Sequence, residues 1–442
     1  MKKEIIVIGG GLAGCEAAYQ IAKRGKKVKL YEMKPNQFSP AHENPNLAEI
    51  VCSNSFKSNL HTNACGLLKE ELRMLDSLLI RIADEVAVPA GQALAVDREK
   101  FAERVTEEIR GHENIEVIEQ EVGGEGVSLE ALLQDHIVIV ATGPLTSDGL
   151  SEEIATLTGT GKLYFFDAAA PIVEKEDINM EIAFWGDRYG KGDSSYINLP
   201  MNQEEYEAFW KELVEAEVVE LHAFEKREIF EGCMPVEVMA KRGIDTLRFG
   251  PLKPVGFTDP RTGKRPYAIV QLRQDNAEGS LFNLVGFQTN LKFGEQKRVF
   301  QMIPGLENAN FVKYGVMHRN TYVQSPELLN SSYQMKEIPH LFFAGQITGV
   351  EGYVESIASG LVAGINSVRI LEEKERITFP IDTMIGNLAH YISTQNDKFQ
   401  PMNANFGILP ALPEKIRDKK EKYTKLADRA LESLQKAMKQ DF

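Results

Sequence analysis

The sequence predicts an α/β protein: a parallel-sheet nucleotide-binding domain interrupted by an inserted α+β domain. Three observations predict it. An apolar, β-branched run from Ile5 to Ile8 meets a glycine-rich turn and then a breaker-free helical stretch. Two later apolar strands, His136 to Ala141 and His340 to Ala344, also run into glycine turns. Between them, from about Phe165 to Lys313, the pattern changes to short strands with one helix. The expected division is 1–164, 165–313 and 314–442, with the outer two segments forming one unit.

The first element carries the most information. After Ile8 come Gly9, Gly10, Gly11, Leu12, Ala13 and Gly14, then a helix to Gly25 and a second strand ending at Glu32. Each glycine has a separate task in a dinucleotide fingerprint. Gly9 permits the tight turn, Gly11 lets a pyrophosphate approach the backbone, and Gly14 lets the helix pack against the sheet. The free N–H groups at the helix start favour phosphate. Glu32 stands where the fingerprint places an acid for a ribose hydroxyl. Strand, turn, helix, strand and acid together make this a Rossmann-like domain. The fingerprint alone does not separate FAD from NAD, but its place at the N-terminus favours FAD.

Composition narrows the class. Four cysteines (Cys15, Cys52, Cys65 and Cys233) without CxxC spacing argue against a disulfide framework or a metal site. The sequence shows no apolar run near the roughly eighteen residues of a membrane span and no signal peptide, so a cytoplasmic protein is expected. Net charge is -14, which taken alone argues against a polyanionic partner. The charges segregate, however. Lys241, Arg242, Arg248, Lys253, Arg261, Lys264, Arg265 and Arg273 share their stretch with only Asp245 and Asp259. By charge alone that stretch is either a solvated face or a nucleic-acid contact.

Residues 33–65 have little periodicity and read as an irregular excursion containing Val51-Cys52-Ser53-Asn54-Ser55-Phe56-Lys57. A thiol near a cation there is either reactive or an incidental buried group. One amphipathic helix is expected over 66–83 and another over 97–109, with Asp97 as N-cap. The strand at 136–141 runs into Thr142 and Gly143, a turn that passes near a flavin nucleotide in two-dinucleotide flavoproteins. In the insertion, a helix is expected over 203–217 and strands over 267–272 and 281–287. The late turn holds Gly345, Gln346, Gly349, Glu351, Gly352 and Tyr353, and is expected to close the cofactor site. Tyr353 is a candidate to stack on flavin or pterin, or else a packed aromatic. A charged helix over 413–439 ends the chain.

Taken together these segments resemble one family. Gly9 to Ala18 is similar to the opening of two tRNA-modifying flavoproteins, the large glucose-inhibited-division protein and the folate- and FAD-dependent tRNA (uracil-5-)-methyltransferase. Val51 to Asn59, Glu231-Gly232-Cys233-Met234-Pro235, Gly250 to Gly256, Gly345 to Tyr353 and Asn405-Phe406-Gly407 select the second. The resemblance implies bound FAD, 5,10-methylenetetrahydrofolate as one-carbon donor, NAD(P)H as reductant and the T loop of tRNA as target. It also assigns catalysis to Cys52 and Cys233. A thiolate adding at uracil C6 makes C5 nucleophilic, and a second thiol can assist. Cys233 is expected to attack and Cys52 to assist. Three other readings remain open: a flavoprotein oxidoreductase acting on a small molecule, the same methylation on ribosomal RNA, and a non-catalytic FAD-containing RNA-binding or scaffold protein.

Overall fold

A computed structural model describes residues 4–124, 126–159, 163–168, 170–190, 195–219, 234–276, 279–315, 317–396, 399 and 401–441. The chain begins with β1 (Ile5–Ile8), α1 (Leu12–Lys23), β2 (Val28–Glu32), β3 (Ser55–Ser58), α2 (Ala64–Met74), α3 (Leu78–Glu85), β4 (Ala87–Val88) and β5 (Ala93–Val96). It continues through α4 (Arg98–Gly111), β6 (Ile115–Glu119), α5 (Leu129–Asp135), β7 (Ile137–Val140), α6 (Asp148–Thr158) and β8 (Leu163–Ala168). The middle of the chain forms β9 (Ile172–Glu174), β10 (Phe184–Trp185), β11 (Tyr196–Met201), α7 (Gln203–Glu215), α8 (Val236–Lys241), α9 (Thr246–Phe249) and β12 (Ala268–Gln274). After it come β13 (Leu281–Leu284), α10 (Phe293–Phe300), β14 (Phe311–Lys313), β15 (Met317–Tyr322) and α11 (Ser325–Leu328). The last elements are β16 (Leu341–Phe343), α12 (Tyr353–Leu371), α13 (Met384–Ser393) and α14 (Lys419–Asp441).

The first sheet has the order β16-β7-β1-β2-β6, with every neighbouring pair parallel. All four residues of β1 and of β7 are buried, as central strands covered on both faces require. The strand order reverses beside β1, and the glycine turn leaves the sheet there, at the switch point where open α/β sheets bind ligands. Helices α1 and α12 cross in close contact. A Cβ on Gly360 would stand 2.2 Å from the Ala13 carbonyl oxygen, and one on Gly364 would stand 2.8 Å from that of Ala17. Backbone-to-backbone packing of this kind fixes the middle of α12 against the first half of α1.

The second sheet runs β10-β11-β12-β13-β9-β14, with its neighbouring strands antiparallel. Its core is Phe209, Phe282, Phe287 and Phe300, with Val270 and Leu272 of β12. The antiparallel pair β8–β15 lies between the two sheets in the chain. Smaller strands β3, β5 and β4 form a third, antiparallel sheet.

Three departures from the sequence reading have physical causes. The helix expected over 66–83 is two helices, because Asp76 adopts φ 56° and the Ser77 side chain caps Ile80. The C-terminal helix starts at Lys419 rather than near residue 413. Finally, α12 is a 19-residue helix of mean hydropathy 1.3, long and apolar enough to cross a membrane. It is apolar because it is a core helix: every residue from Val354 to Val368 is buried.

Candidate functional site

The turn after β1 is shaped by what its glycines exclude. Gly9 has φ +101°, and a Cβ on it would lie 2.7 Å from the Ala141 carbonyl oxygen. A Cβ on Gly14 would lie 1.8 Å from the Gly9 carbonyl oxygen, so the helix could not start this close to the strand. Gly11 is different: a Cβ there would meet nothing within 4 Å. That space opens over the start of α1, whose first turn holds no acidic residue and no side-chain cap. The first amides of a helix have no intrahelical acceptor, so this end presents N–H groups and positive dipole to an anion. Glu32 closes the other side. Its two carboxylate oxygens accept from Gly10 N at 2.7 Å and Lys34 N at 2.9 Å. A cavity joins Gly9, Gly11, Glu32, Lys34, Thr142 and Thr146. Open space at one glycine, a helix start and an acid beyond it suit a pyrophosphate with its ribose, so the residues present fit a dinucleotide.

The late turn reaches the same region. Gly345, Gly349 and Gly352 all have positive φ, and Gly345 stands against Ala13 of α1. Gln346 donates to Glu351 at 2.7 Å, holding the turn closed across its base. From the end of this turn the Tyr353 hydroxyl accepts from Cys52 N at 2.9 Å and Ser53 N at 3.0 Å. The tyrosine ring packs on Phe56, centroid to centroid 5.6 Å. Tyr353 therefore joins the glycine turn to the Cys52 loop, and burial pushes its phenol pKa up. One hydroxyl oxygen with two amide donors is well satisfied, a role the sequence did not suggest.

Around that loop lies a polar framework. The Arg273 guanidinium, pushed down in pKa by burial, donates to Ser53 Oγ at 2.7 Å and Asn54 Oδ1 at 3.0 Å. Asn54 in turn donates to Val96 O at 3.1 Å and to Gln274 O at 2.8 Å. Arg98 bonds Asp275 at 3.1 Å and lies 3.3 Å from the Val51 carbonyl oxygen. These contacts lock the Cys52 loop onto β12 of the second sheet. A cleft of about 890 Å³ runs beside them, lined among others by Glu49, Arg98, Lys100, Asp275 and Lys313.

Beneath the loop, Lys57 takes φ 62° in a bulged strand, and its ammonium lies 3.7 Å from Glu355. Glu355 is fully buried; its Oε1 accepts from Ala404 N at 2.9 Å and from the Cys65 thiol at 3.7 Å. Burial, with Glu355 next, pushes the Cys65 thiol up to about 12, so it is a packed neutral group. Lys69 is buried too, and its three donors meet the carbonyls of Phe56, Ser58 and Cys65 at 2.7, 2.7 and 3.2 Å. Burial brings it down to about 8, so it is still mainly charged at neutral pH.

The chain matches the family described as Glucose inhibited division protein A over residues 4–375. A relative from Acetivibrio thermocellus, the methylenetetrahydrofolate–tRNA-(uracil-5-)-methyltransferase TrmFO, is 61% identical over 431 residues, 97% of each chain. The protein of the same name from Enterococcus faecalis is 58% identical over 98% of each chain. This chain belongs to the TrmFO family, related to GidA. A solved structure of Aquifex aeolicus GidA superposes with TM-score 0.69 at 17% identity, over 99% of this chain and 74% of that one. That likeness establishes the GidA-type fold, with the Rossmann-like domain and the inserted sheet both included.

Placed on this TrmFO-family fold, the sequence-predicted residues separate into groups. Gly9, Gly10, Gly11, Leu12, Ala13, Gly14, Glu32, Thr142 and Gly143 gather at the end of β1 and β7. Gly345 to Tyr353 and Cys52 meet across the Tyr353 hydroxyl. Cys233, with Glu231 and Gly232, lies outside the described residues. Of the basic set, Lys241, Arg242, Lys253, Lys264 and Arg265 are exposed. Arg261 is exposed but pairs with Asp259 at 2.8 Å. Arg248 is half-buried, bonded to Tyr267 O at 3.0 Å and stacked 3.5 Å over that ring. Its place is structural, which its position in a basic run could not reveal. Lys57, the cation expected beside Cys52, turns to Glu355 because its left-handed backbone redirects the side chain. The bonding roles of Arg98, Arg273 and Glu355 escaped the sequence reading because their partners lie far away in the chain.

Proposed function

We propose that this chain transfers a one-carbon unit from 5,10-methylenetetrahydrofolate to C5 of the T-loop uridine of tRNA, with FAD as its cofactor and NAD(P)H as reductant. The observation that carries the reading is 61% identity, over 97% of both chains, to a protein named for that activity. FAD, when bound, supplies the redox chemistry that carries and reduces the one-carbon unit. The chain's own residues do the rest. Gly9 to Gly14 hold the pyrophosphate and Glu32 a ribose hydroxyl, while Thr142 and Gly143 line the nucleotide's path. Gly345, Gln346, Gly349, Glu351, Gly352 and Tyr353 form the wall at the ring end. Residues 165–313 are the substrate-side insertion, and Lys241, Arg242, Lys253, Lys264 and Arg265 contact RNA phosphates. The protein works in the cytoplasm, where its tRNA substrate is found.

Cys233 adds as a thiolate to uracil C6, which gives C5 the character of an enolate carbon. Once C5 carries the one-carbon unit, Cys52 takes the C5 proton and the electron pair released expels the Cys233 thiolate from C6; the Tyr353 hydroxyl holds the Cys52 backbone in place. Ser53 and Asn54, tied to Arg273, keep that loop on the second sheet. The test is an assay of purified protein on unmodified tRNA with methylenetetrahydrofolate and NADPH, alongside trapping on 5-fluorouridine tRNA. Methylated uridine and a covalent adduct lost in Cys233→Ala but retained in Cys52→Ala are the expected outcome. No methyl transfer by a yellow, folded protein overturns the activity. An adduct surviving in Cys233→Ala overturns the assignment of the two thiols.

A further inference from the structure

We propose that Tyr189 is a stacking post for an unstacked RNA base, held ready at the edge of the second sheet; the proposal rests on the tRNA reading above. Tyr189 is 62% exposed, and its backbone is left-handed at φ 64°, ψ 19°. A bulky aromatic residue rarely adopts that conformation unless its surroundings hold it there. The surroundings here are explicit. Arg188 turns inward, donating to Lys253 O at 3.0 Å and Val255 O at 2.5 Å, with its guanidinium 4.9 Å from the centre of the Phe257 ring. Tyr189 N donates to Gly256 O at 2.8 Å. The ring then rests over Gly256, where a Cβ would come within 3.1 Å of two ring carbons and 2.7 Å of Arg188 Cγ. Gly256 has φ +89°, so the seat and the turn both call for glycine.

The inward arginine and the glycine seat thus leave one residue pointing out, and it is an aromatic. Its neighbourhood suits RNA. Lys253, exposed, sits in the loop that Arg188 binds, and Phe249, 80% exposed, stands at the other end of that loop. The same strand pair leads back to Cys52: Gly186 N donates to Tyr196 O at 2.9 Å, Tyr196 pairs with Arg273, and Arg273 bonds Ser53. An aromatic face near an exposed lysine, joined through β10 and β11 to the Cys52 loop, matches the way single-stranded bases are held by stacking. A uridine that leaves the T-loop stack exposes its neighbours' faces, and the Tyr189 ring can cover one of them.

Binding of the FAD-loaded full chain to an unmodified tRNA transcript tests this, by anisotropy over a range of salt. Tyr189→Leu and Tyr189→Asn are expected to weaken binding by about tenfold or more, the usual scale for losing one stacked base. Tyr189→Phe keeps the ring and is expected to bind like the wild type. The salt slope stays the same in all three, because a ring releases no counterion. Tyr189→Asn, whose side chain tolerates the left-handed backbone, is expected to keep the wild-type melting temperature, which separates the effect from unfolding. Wild-type affinity in Tyr189→Leu overturns the proposal while leaving the tRNA reading intact. Weakened folate or NADPH kinetics with unchanged RNA affinity also overturns it, in favour of a small-molecule contact. Failure of the wild type itself to bind tRNA overturns both.

Discussion

A methyl group added at Gly11 and one added at Gly14, three residues further on, meet opposite surroundings. At Gly14 the new Cβ would sit 1.8 Å from a backbone oxygen that cannot move without breaking the β1 turn. At Gly11 it would stand in open space. Gly14→Ala is therefore expected to lose more than about 3 kcal/mol of stability, at the upper end for overpacking. Gly11→Ala is expected to leave the melting temperature of FAD-free protein unchanged, yet to reduce FAD retention at least tenfold, read from flavin absorbance after gel filtration. The pair separates a glycine kept for packing from one kept for a ligand. Equal FAD content in Gly11→Ala and wild type would remove the pyrophosphate from that space.

Elements are held in register by a few buried polar groups, and Glu71 of α2 shows how. Its carboxylate oxygens accept from Met384 N at 2.7 Å and Ile385 N at 2.8 Å, the first two amides of α13. Burial nevertheless pushes its pKa up to about 7, against 4.5 for the ordinary group. The folded state then binds more protons than the unfolded one between these values, so the stability this group gives is full below pH 4.5. It is lost as pH rises through 7. Comparing melting temperatures of wild type and Glu71→Gln from pH 4.5 to 8 isolates this term. The wild type is expected to lose up to roughly 3 kcal/mol relative to the variant over that range. A flat difference would mean the two amides keep Glu71 ionised throughout. Neither this cap nor the Tyr353 bridge to Cys52 could be seen in the chain, since the partners are hundreds of residues apart. What could be seen was local: β1, the glycine turn, α1 and the Asp97 cap, which accepts from Glu99 N and Lys100 N. Residues 66–83 misled because their apolar spacing continues across Asp76, where the backbone reverses its twist.

At the scale of the whole molecule, net charge and local charge give opposite answers about RNA. An excess of fourteen negative charges repels a polyanion at long range, and that repulsion is screened beyond about 8 Å at physiological salt. Binding must then come from short-range contacts. Lys241 at the end of α8, Arg242 after it, and Lys253, Lys264 and Arg265 in the stretch leading to β12 are exposed; Arg248 and Arg261 are engaged with Asp245 and Asp259. Each cation that neutralises a phosphate contributes about 0.9 to the slope of log affinity against log salt. Lys253→Ala and Lys264→Ala are each expected to lower the slope by about 1 and to weaken tRNA binding, whatever the T-loop sequence. Arg261→Ala is expected to leave the slope nearly unchanged, since its charge is already matched by Asp259. Slopes measured by anisotropy between 50 and 200 mM salt decide the matter. If Arg261→Ala lowers the slope as much as Lys253→Ala, then the Asp259 pair opens on binding; if neither lysine variant lowers it, the RNA-contacting face lies elsewhere on the molecule.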